Sequence, residues 1–452
     1  MPREAARDSG RWVAIVRLEI ERMAYGADAI ARDEAGKTVF VAGGVPGDIV
    51  EAEVTSEASS YSRARVTEVL EPSADRVRPA CPYADVCGGC PWAHMAYDAQ
   101  ARAKREGVVD ALRRIGHFDP ERADELVGTL LSPSDEWGYR NKIELAFERG
   151  PKRVTIGMHG AGDAGVVKVG ACALLDKKFQ KMPKAVSGAL TYLANSHGIR
   201  LDRVGIRASR RTGEVEVALW TQPGPFPRAQ AAKIFGDAAK TTSVVRVMEK
   251  GPTKARRIVG VERLSGKGSW GEQIAGERMA VSAPSFFQVN TVAAERLVEL
   301  VLEGLAPGEG DEAMDLYCGA GTFTLPLARR TAFVSAVESY GPAVRDLRRN
   351  LERAHLENVD AQGGDAGREF PDTDADVIVV DPPRAGLAEE VVAKLSKQPA
   401  RAIAYVSCDP ATLARDLARF EEAGTFEVAS VTPVDLFPQT FHVENVCILR
   451  RR

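Results

Sequence analysis

The chain has 452 residues, 44% of them hydrophobic and 27% charged, which indicates a globular protein of two or three domains. The N-terminal residues lack the apolar core of a secretion signal, and no stretch approaches the roughly 18 apolar residues that span a bilayer, so a cytoplasmic protein is expected. The formal net charge of −3 is close to neutral. In a reducing compartment, the seven cysteines favour metal binding or catalysis over disulfides.

Alternating apolar and polar residues predict short β-strands between residues 11 and 70. Turn-forming residues separate these strands: Gly26, Gly36, Gly43, Gly44, Pro46 and Gly47. This pattern favours a small antiparallel barrel of the OB type, which we place at residues 1 to 72. The local charge of the barrel is not basic, so composition does not decide between two roles. The barrel either contacts RNA or serves only as a spacer.

Four cysteines outside the later catalytic motifs form a candidate metal site. Cys81, Cys87 and Cys90 have five and then two residues between them, and Cys172 lies far downstream. Four thiolates suit a [4Fe–4S] cluster, whereas a structural zinc site with His94 in place of Cys172 is the alternative. A radical S-adenosylmethionine cluster is disfavoured, because it needs three residues between the first two cysteines and an open iron site.

The middle of the chain is basic. Residues 139 to 267 hold 25 Lys and Arg against 10 Asp and Glu, a net +15, so the remaining residues sum to −18. Aromatic residues lie in or just before this segment: Trp137, Tyr139, Phe147, Tyr192 and Trp220. The combination suits a polyanion such as RNA, and the alternative is a solvated basic surface without a partner.

From about residue 281 the pattern changes to alternating strands and helices, which predicts an α/β domain with a parallel sheet. Asp315, Gly319 and Gly321 surround the end of its first strand, Glu338 ends the next strand, and Asp365 ends the one after. Glycines at such a turn let the backbone approach a ligand, and the acid that ends the next strand, Glu338, can bind ribose hydroxyls. Since the third glycine of the dinucleotide pattern is missing, the order favours an adenosyl cofactor over NAD.

Asp381 is followed by two prolines and then by Arg384. Enzymes that methylate exocyclic amino groups typically carry an aromatic residue at that fourth position, so methyl transfer to carbon is the better hypothesis here. The alternative is structural: the prolines only end the strand and stiffen the loop.

A cysteine and a base near the C-terminus suit carbon methylation. Carbon 5 of uracil is a poor nucleophile until a thiolate adds to carbon 6 and turns the ring into an enolate. Cys408 lies between a predicted strand and a predicted helix, whose dipole and nearby Arg415 would favour the thiolate. Glu444 is the candidate base that removes the carbon-5 proton, and His442 is a weaker candidate.

The strings SFFQVN, DLYCGAGTF, DPPRAGL, SCDPATLARDL and PVDLFPQTFHVE closely resemble the RNA uracil-C5 methyltransferases, and the N-terminal barrel resembles their TRAM domain. The resemblance covers nearly the whole chain and implies Cys408 as nucleophile and Glu444 as base. It implies S-adenosylmethionine contacts for Gln288, Tyr317, Thr322, Glu338, Asp365 and Asp381. In two departures from the family pattern, Asp409 replaces a frequent Asn, and Asn445 replaces a frequent Thr. Only changes of degree are expected from them, such as a shifted thiolate pKa.

Cluster-bearing members of this family share the C-x5-C-G-G-C pattern and a later single cysteine. The resemblance therefore implies a [4Fe–4S] cluster on Cys81, Cys87, Cys90 and Cys172, with a structural or RNA-orienting role because methyl transfer moves no single electrons. It also implies a Rossmann-like methyltransferase domain at 281 to 452 and a central α+β domain at 73 to 280, within which residues 93 to 124 pack on the last domain.

The expected substrate is a uridine drawn between the domains and extruded from its stack, with residues 139 to 142 resembling a family segment near that cleft. Cluster and TRAM domain together favour 23S ribosomal RNA, and the T-loop uridine of transfer RNA is the alternative. The rival functions are DNA cytosine-C5 methylation, amino-group methylation and a non-catalytic RNA-binding or maturation role. DNA enzymes share the Glu-Asn-Val string at 444 to 446 but place Pro before the cysteine, where this chain has Ser407.

Overall fold

The computed structural model describes residues 14–150, 154–162, 164–252 and 256–452. The first 13 residues of the predicted barrel domain lie outside this part of the chain, as do three cations of the basic segment, Lys152, Arg153 and Lys254. Within the described residues, no helix is both long enough and apolar enough to cross a membrane.

Five strands form a closed barrel at the N-terminus, in the order β1-β2-β3-β5-β4. They are β1 (Ile15–Met23), β2 (Ala29–Arg32), β3 (Thr38–Ala42), β4 (Ile49–Glu57) and β5 (Tyr61–Glu71). Inward-facing apolar residues such as Leu18, Val41 and Val50 fill the barrel. The predicted barrel is confirmed, except that β3 and β5 pair in parallel and not antiparallel.

Residues 72 to 96 contain no named strand or helix and carry three of the four cysteines of the candidate metal site. Two helices follow, α1 (Tyr97–Arg114) and α2 (Pro120–Leu126). Both lie against the C-terminal domain: apolar residues of the α1–α2 region, among them Val108, Leu112 and Ala123, belong to the same core as the strands of that domain.

A mixed sheet of seven strands forms the central region, in the order β12-β11-β10-β9-β6-β7-β8. Its strands are β6 (Lys142–Arg149), β7 (Val154–His159), β8 (Val166–Val167), β9 (Arg203–Ala208), β10 (Val215–Thr221), β11 (Ser243–Lys250) and β12 (Arg257–Gly266). Helices α3 (Met182–His197) and α4 (Arg228–Ala239) bury their apolar faces in the core of this sheet. A separate hairpin, β13 (Trp270–Ile274) and β14 (Glu277–Val281), instead shares a small core with Phe287, Ala294 and Ala320.

The C-terminal domain is a seven-stranded sheet in the order β17-β16-β15-β18-β19-β21-β20, covered by helices. The strands are β15 (Glu312–Leu316), β16 (Phe333–Glu338), β17 (Val359–Gly363), β18 (Val377–Val380), β19 (Ala402–Ser407), β20 (Phe426–Val434) and β21 (Glu444–Arg451). The helices are α5 (Thr291–Leu305), α6 (Thr324–Ala328), α7 (Gly341–Ala354), α8 (Glu389–Leu395) and α9 (Pro410–Ala423). The first five strands run parallel, and β21 is antiparallel to both of its neighbours.

The direction of chain winding reverses beside β15, because β16 and β17 lie on one side of it and β18 and β19 on the other. Every residue of β18 and β19 is buried, as expected for parallel strands covered on both faces. Ligands of such sheets bind beyond the carboxyl ends of the strands at the reversal point. This edge is therefore the place to look for the site.

Candidate active site

Five of the residues singled out in the sequence lie at the carboxyl edge of the parallel strands. Tyr317 directly follows β15, Glu338 is the last residue of β16, and Asp365 lies two residues beyond β17. Asp381 and Cys408 directly follow β18 and β19. Because these strands are parallel neighbours, the five residues lie along one edge of the sheet.

The loop after β15 has a backbone that most residues cannot adopt easily. Gly319 and Gly321 have φ angles of 57° and 101°, and a side chain at Gly321 would clash with Leu325. Tyr317 adopts φ 66° although it is not glycine, a strained conformation that often marks a functional loop. Thr322 lies half-buried in this loop.

Glu338 holds this loop in place. One carboxylate oxygen accepts a hydrogen bond from the amide of Gly319 at 3.0 Å, and the other accepts one from the amide of Tyr340 at 2.6 Å. Asp365 similarly orders its own turn by accepting from the amide of Gly367 at 3.0 Å. In this structure Glu338, the predicted ribose-binding acid, and Asp365, a predicted cofactor contact, are thus both bonded to backbone amides.

Asp315 is a residue of the site that was not among the predicted cofactor contacts. Its buried carboxylate accepts from the Thr324 hydroxyl at 2.6 Å, while its other oxygen has no partner among the described residues. Burial, Asp381 and Glu338 raise its pKa to about 8. Burial and Glu338 likewise raise the pKa of Asp381 to about 7.

These crowded acids fit a cation. An unpartnered buried acceptor and mutually repelling carboxylates are costly until a positive ligand compensates them. The Gln288 side-chain oxygen is a second buried acceptor without a partner in the described part of the chain. S-adenosylmethionine carries a positively charged sulfonium group and an ammonium group, so these acidic and amide oxygens match its charge.

Cys408 and Glu444 lie on paired strand ends. In the antiparallel register of β19 and β21, Ser407 is opposite Asn445, so Cys408 and Glu444 are the residues next to this last pair, and the Glu444 carboxyl acts on the Cys408 thiol. The side-chain amide of Asn445 donates to the carbonyl oxygen of Ser407 at 3.3 Å and so helps to hold the two ends together. Opposite residues of such a pair have Cα atoms roughly 4.5–5.5 Å apart.

The Cys408 thiol is half-buried among carboxylates. Burial, followed by the nearby carboxyls of Glu444, Asp381 and Asp409, raises its pKa to about 11, and Arg384 opposes this rise. Our expectation for Arg415 was wrong: its guanidinium donates to Asp416 and to the carbonyl of Ala385 and is not among the cations that act on the thiol.

Glu444 is only 4% exposed, and burial together with Asp381 raises the pKa of its carboxyl well above the usual value. His442, the weaker candidate base, packs its ring on Phe441 at a centroid distance of 4.1 Å. Burial, Arg384 and other cations lower the pKa of His442 to about 4, so its imidazole is neutral near pH 7.

Sequence reasoning missed one further residue of this site, Arg384. Arg384 lies 3.5 Å from the imidazole of His442 and opposes the raised pKa of both Cys408 and Glu444. Its signal in the sequence was its place after the two prolines, which we used only to argue against amino-group methylation.

The loop between β20 and β21 (residues 435–443), which we term the base loop, is held by residues from distant parts of the chain. Lys104 of α1 donates to Asp435 at 2.7 Å, and both side chains are completely buried. The Tyr97 hydroxyl donates to the same carboxylate at 2.9 Å. Gln100 donates to the Gln439 side chain at 3.1 Å. Helix α1 therefore fixes the segment that leads into Glu444.

The segment 139–142 connects the central sheet to this domain. The Asn141 side chain donates to the carbonyl oxygen of Gln288 at 2.9 Å and to the Thr291 hydroxyl at 3.0 Å. The Tyr139 hydroxyl donates to the carbonyl oxygen of Pro438 in the base loop at 3.0 Å. This segment therefore contacts both the region of the predicted cofactor residue Gln288 and the loop that leads into Glu444.

The four cysteines Cys81, Cys87, Cys90 and Cys172 line one cavity of about 40 Å³. All four are unpaired and half-buried. Burial and the other three thiols raise the pKa of Cys90 to about 12, and Arg140 lowers it. Among the described residues, no three metal-ligating side chains converge closely enough to hold a single metal ion.

His94 does not line this cavity, so the zinc alternative that used it as the fourth ligand was wrong. Its imidazole is buried beside Arg76 and the backbone of Gly44 in the barrel.

Many cations of the basic segment form ion pairs. Arg256 bonds to Asp202 at 2.8 Å, and Arg211 bonds to Glu295 outside the segment. Arg257 and Arg263, on β12, are exposed. The net charge of the segment therefore overstates the number of cations that a partner can reach.

Comparison with known proteins identifies both ends of the chain. A family model described as tRNA (Uracil-5-)-methyltransferase matches residues 273–363 and 365–452, and a TRAM domain model matches residues 13–67. A Thermosynechococcus vestitus protein named as an uncharacterized RNA methyltransferase is 35% identical, over 96% of this chain and 98% of its own length. A Streptomyces avermitilis protein with the same name is also 35% identical, over 96% of this chain and 97% of its own.

A solved structure is similar over the same extent. The tRNA (uracil-54, C5)-methyltransferase of Pyrococcus abyssi, in complex with S-adenosyl-L-homocysteine, has a TM-score of 0.74 and 26% identity, and the match covers 96% of this chain and 99% of that one. The chain therefore belongs to the S-adenosylmethionine-dependent RNA uracil-C5 methyltransferases and carries a TRAM domain.

Proposed function

We propose that this enzyme methylates carbon 5 of a uridine in 23S ribosomal RNA, with Cys408 as nucleophile and Glu444 as the base. The observation that supports the catalytic assignment is the register of β19 and β21, whose last pair, Ser407 and Asn445, directly adjoins Cys408 and Glu444 at the carboxyl edge of the sheet. A nucleophile and a base must reach the two adjacent ring carbons of one base, and paired strand ends provide that spacing.

The chemistry begins at Cys408. After its proton leaves to solvent, the sulfur bonds to carbon 6, and the electrons of the carbon 5–carbon 6 double bond move toward the ring oxygen. Carbon 5 then takes the methyl group that S-adenosylmethionine supplies, and the carbon–sulfonium bond breaks. Glu444 next accepts the carbon-5 proton, the ring double bond re-forms and the bond between carbon 6 and sulfur breaks.

The surrounding residues prepare these steps. We assign Gln288, Tyr317, Thr322, Glu338, Asp365 and Asp381 to the cofactor site. Asp315 and Asp381, whose carboxyls have raised pKa values, would hold its positive charge when it is bound, and a positive charge there would oppose the rise in the pKa of Cys408. Arg384 offsets the negative charge that develops on the ring. The exposed ring of Phe286 suits stacking on an unstacked base.

Trapping the covalent intermediate tests the catalytic pair. Cys408→Ala should form neither 5-methyluridine nor a protein–RNA adduct, whereas Glu444→Gln should add and methylate but fail to eliminate. A methylated adduct should therefore accumulate in Glu444→Gln, as a shifted band in a denaturing gel, and disappear when Cys408→Ala is added. An active Cys408→Ala enzyme would refute the thiolate mechanism, and normal turnover by Glu444→Gln would move the base role to His442.

The assignment to ribosomal RNA rests on the shared cavity of the four cysteines together with the TRAM domain. The similarity to the Pyrococcus abyssi enzyme favours the T-loop uridine of transfer RNA as the second candidate. Mass-spectrometric mapping of 5-methyluridine in both RNAs from a deletion strain separates them. Loss from 23S RNA alone supports the proposal, loss from transfer RNA alone supports the alternative, and loss from neither rejects both.

We further propose that Cys81, Cys87, Cys90 and Cys172 hold a [4Fe–4S] cluster. The four thiols line one cavity, and four thiolates are the ligand set of such a cluster. The other residues around the cavity also support a cluster. Arg140 lowers the pKa of Cys90 and so favours its thiolate, and apolar residues such as Val169 and Leu174 exclude water. Such a cluster would fasten the loop of residues 72 to 96 to the central sheet.

Iron analysis tests the cluster. Anaerobically purified protein should be brown, contain iron and sulfide, and lose both when Cys87 is replaced by Ser, because three thiolates leave one iron without a protein ligand. Cys447→Ala is the matched control, since Cys447 is buried in β21 and lies outside the cavity. Colourless protein that contains zinc would reject the cluster.

A further inference from the structure

One aromatic residue of the barrel reaches the catalytic edge of another domain. Tyr25 lies in the turn between β1 and β2, next to Gly26, and is not part of the apolar core of the barrel. Its hydroxyl donates to the carbonyl oxygen of Cys408 at 3.4 Å. Its ring packs edge-on against Phe441 of the base loop, with centroids 6.1 Å apart.

Tyr25 shares its surroundings with the reacting groups. The charges that act on its phenol are those of Asp409, Cys408, Glu444 and Arg384. Burial, followed by the negative groups among these, raises the pKa of Tyr25 far above its usual value. The phenol therefore stays neutral and remains a hydrogen-bond donor at any pH at which the enzyme works.

The phenol is held on two sides and open on another. Gly107 of α1 presents its backbone to the ring, where a Cβ would lie 3.4 Å from a ring carbon. Phe441 packs on it as described, and yet 38% of Tyr25 remains exposed. The 3.4 Å bond to Cys408 is long for a hydroxyl donor, so a better acceptor can replace it at little cost.

We propose that Tyr25 forms the barrel-side wall of the pocket for the target uracil, with its ring against the base and its hydroxyl donating to a ring carbonyl. This inference rests on the proposed function. Uracil has two carbonyl acceptors, and addition of the thiolate at carbon 6 increases the negative charge on the ring oxygen. A neutral donor held beside Cys408 stabilises that charge and orients the base for attack. The TRAM domain would then help to build the substrate pocket of the enzyme.

The test measures adduct formation with RNA that contains 5-fluorouridine, whose fluorine cannot be removed as a proton, so that the adduct persists. At saturating RNA and S-adenosylmethionine, Tyr25→Ala should form the adduct at least about tenfold more slowly, and Tyr25→Phe about threefold more slowly because it keeps the ring. The affinity for S-adenosylmethionine and the melting temperature of Tyr25→Phe should equal those of the wild type. Tyr61→Ala is the matched control, since Tyr61 is also 38% exposed on the barrel, and it should leave the rate unchanged.

The outcomes separate the role of Tyr25 from the proposed function of the enzyme. Wild-type-like adduct rates in both Tyr25 variants would overturn the role of Tyr25 while leaving the proposed function intact. A slow Tyr25→Ala beside a Tyr25→Phe of wild-type rate would confine the role to the ring and overturn the hydroxyl contact. If the wild type itself forms no adduct, the proposed function fails and this inference fails with it.

Discussion

Asp409 combines two roles in the environment of the nucleophile. Its carboxylate caps α9 by accepting from the amides of Ala411 and Thr412, each at 3.0 Å. The same charge adds to the groups that raise the pKa of the Cys408 thiol to about 11. Because asparagine caps helices as well as aspartate does, the two roles can be separated by one substitution.

Asp409→Asn should lower the pKa of Cys408, because it removes one of the neighbouring negative charges that raise it. The thiolate fraction between pH 7 and 9 therefore rises, and the alkaline limb of thiol reactivity moves to lower pH. The rate of iodoacetamide alkylation at Cys408, followed by peptide mass spectrometry across pH, measures this shift. An unchanged or higher pKa with an unchanged melting temperature would contradict it.

The individual site residues show what the sequence can reveal. Cys408, Glu444 and Asp381 could be predicted because each follows or begins a strongly apolar strand, and strand ends meet at one edge of a parallel sheet. Tyr25 could not, since its contact with Cys408 depends on tertiary packing, and for Arg384 the sequence showed only its place after the two prolines and not its contact with His442. The expected effect of Arg415 on Cys408 was wrong because nearness in sequence does not fix where a helical side chain points. Its guanidinium donates to Asp416 and to the carbonyl oxygen of Ala385.

At the level of elements, the position of the loop that leads into Glu444 depends on α1. The pair of Lys104 and Asp435 lies entirely within the protein, and removing one partner of such a pair leaves an uncompensated buried charge. The sequence gives no sign of this pair, because a lysine in the helical segment 97–114 is normally exposed.

Lys104→Met should lower the free energy of unfolding by about 3–5 kcal/mol. Adding Asp435→Asn should cost less than the sum of the two single changes, since the second change removes the orphaned charge. Urea unfolding of the three variants measures this coupling. Arg296→Ala, which breaks partly exposed pairs on α5, is the control and should cost less than about 1 kcal/mol. Additive effects of the two substitutions would contradict the coupling.

The elements themselves were predictable to different degrees. Alternating residues identified the barrel strands, and long apolar runs identified β18 and β19. The parallel pairing of β3 with β5 was not predictable, because it follows from how the barrel closes and not from any local pattern. The grouping of the β13–β14 hairpin with Phe287 was missed for the same reason: its partners lie in another segment.

For the whole molecule, RNA binding should depend on the cations that remain exposed after folding. Arg257→Glu should weaken RNA binding across sequences and reduce the slope of log affinity against log salt by about 1, because a phosphate contact releases a counterion. Arg256 is already bonded to Asp202, so Arg256→Glu would act through folding as well.

Filter-binding titrations at several salt concentrations measure both quantities. Lys397→Glu is the matched control, since this exposed cation lies outside the basic segment and its reversal should leave the slope unchanged. Equal slopes for wild type and Arg257→Glu would show that β12 does not contact RNA.

The base loop also constrains how sequences of this family can diverge. Gln100 and Gln439 are 339 positions apart and bond directly, and Lys104 and Asp435 are 331 positions apart. A substitution at one member of either pair leaves a buried polar group unsatisfied until the other changes. Alignments of many relatives should therefore show correlated substitution between positions 100 and 439 and between 104 and 435. Helix α1 and the base loop would thus be inherited as one evolutionary unit, although the entire central sheet separates them in the gene.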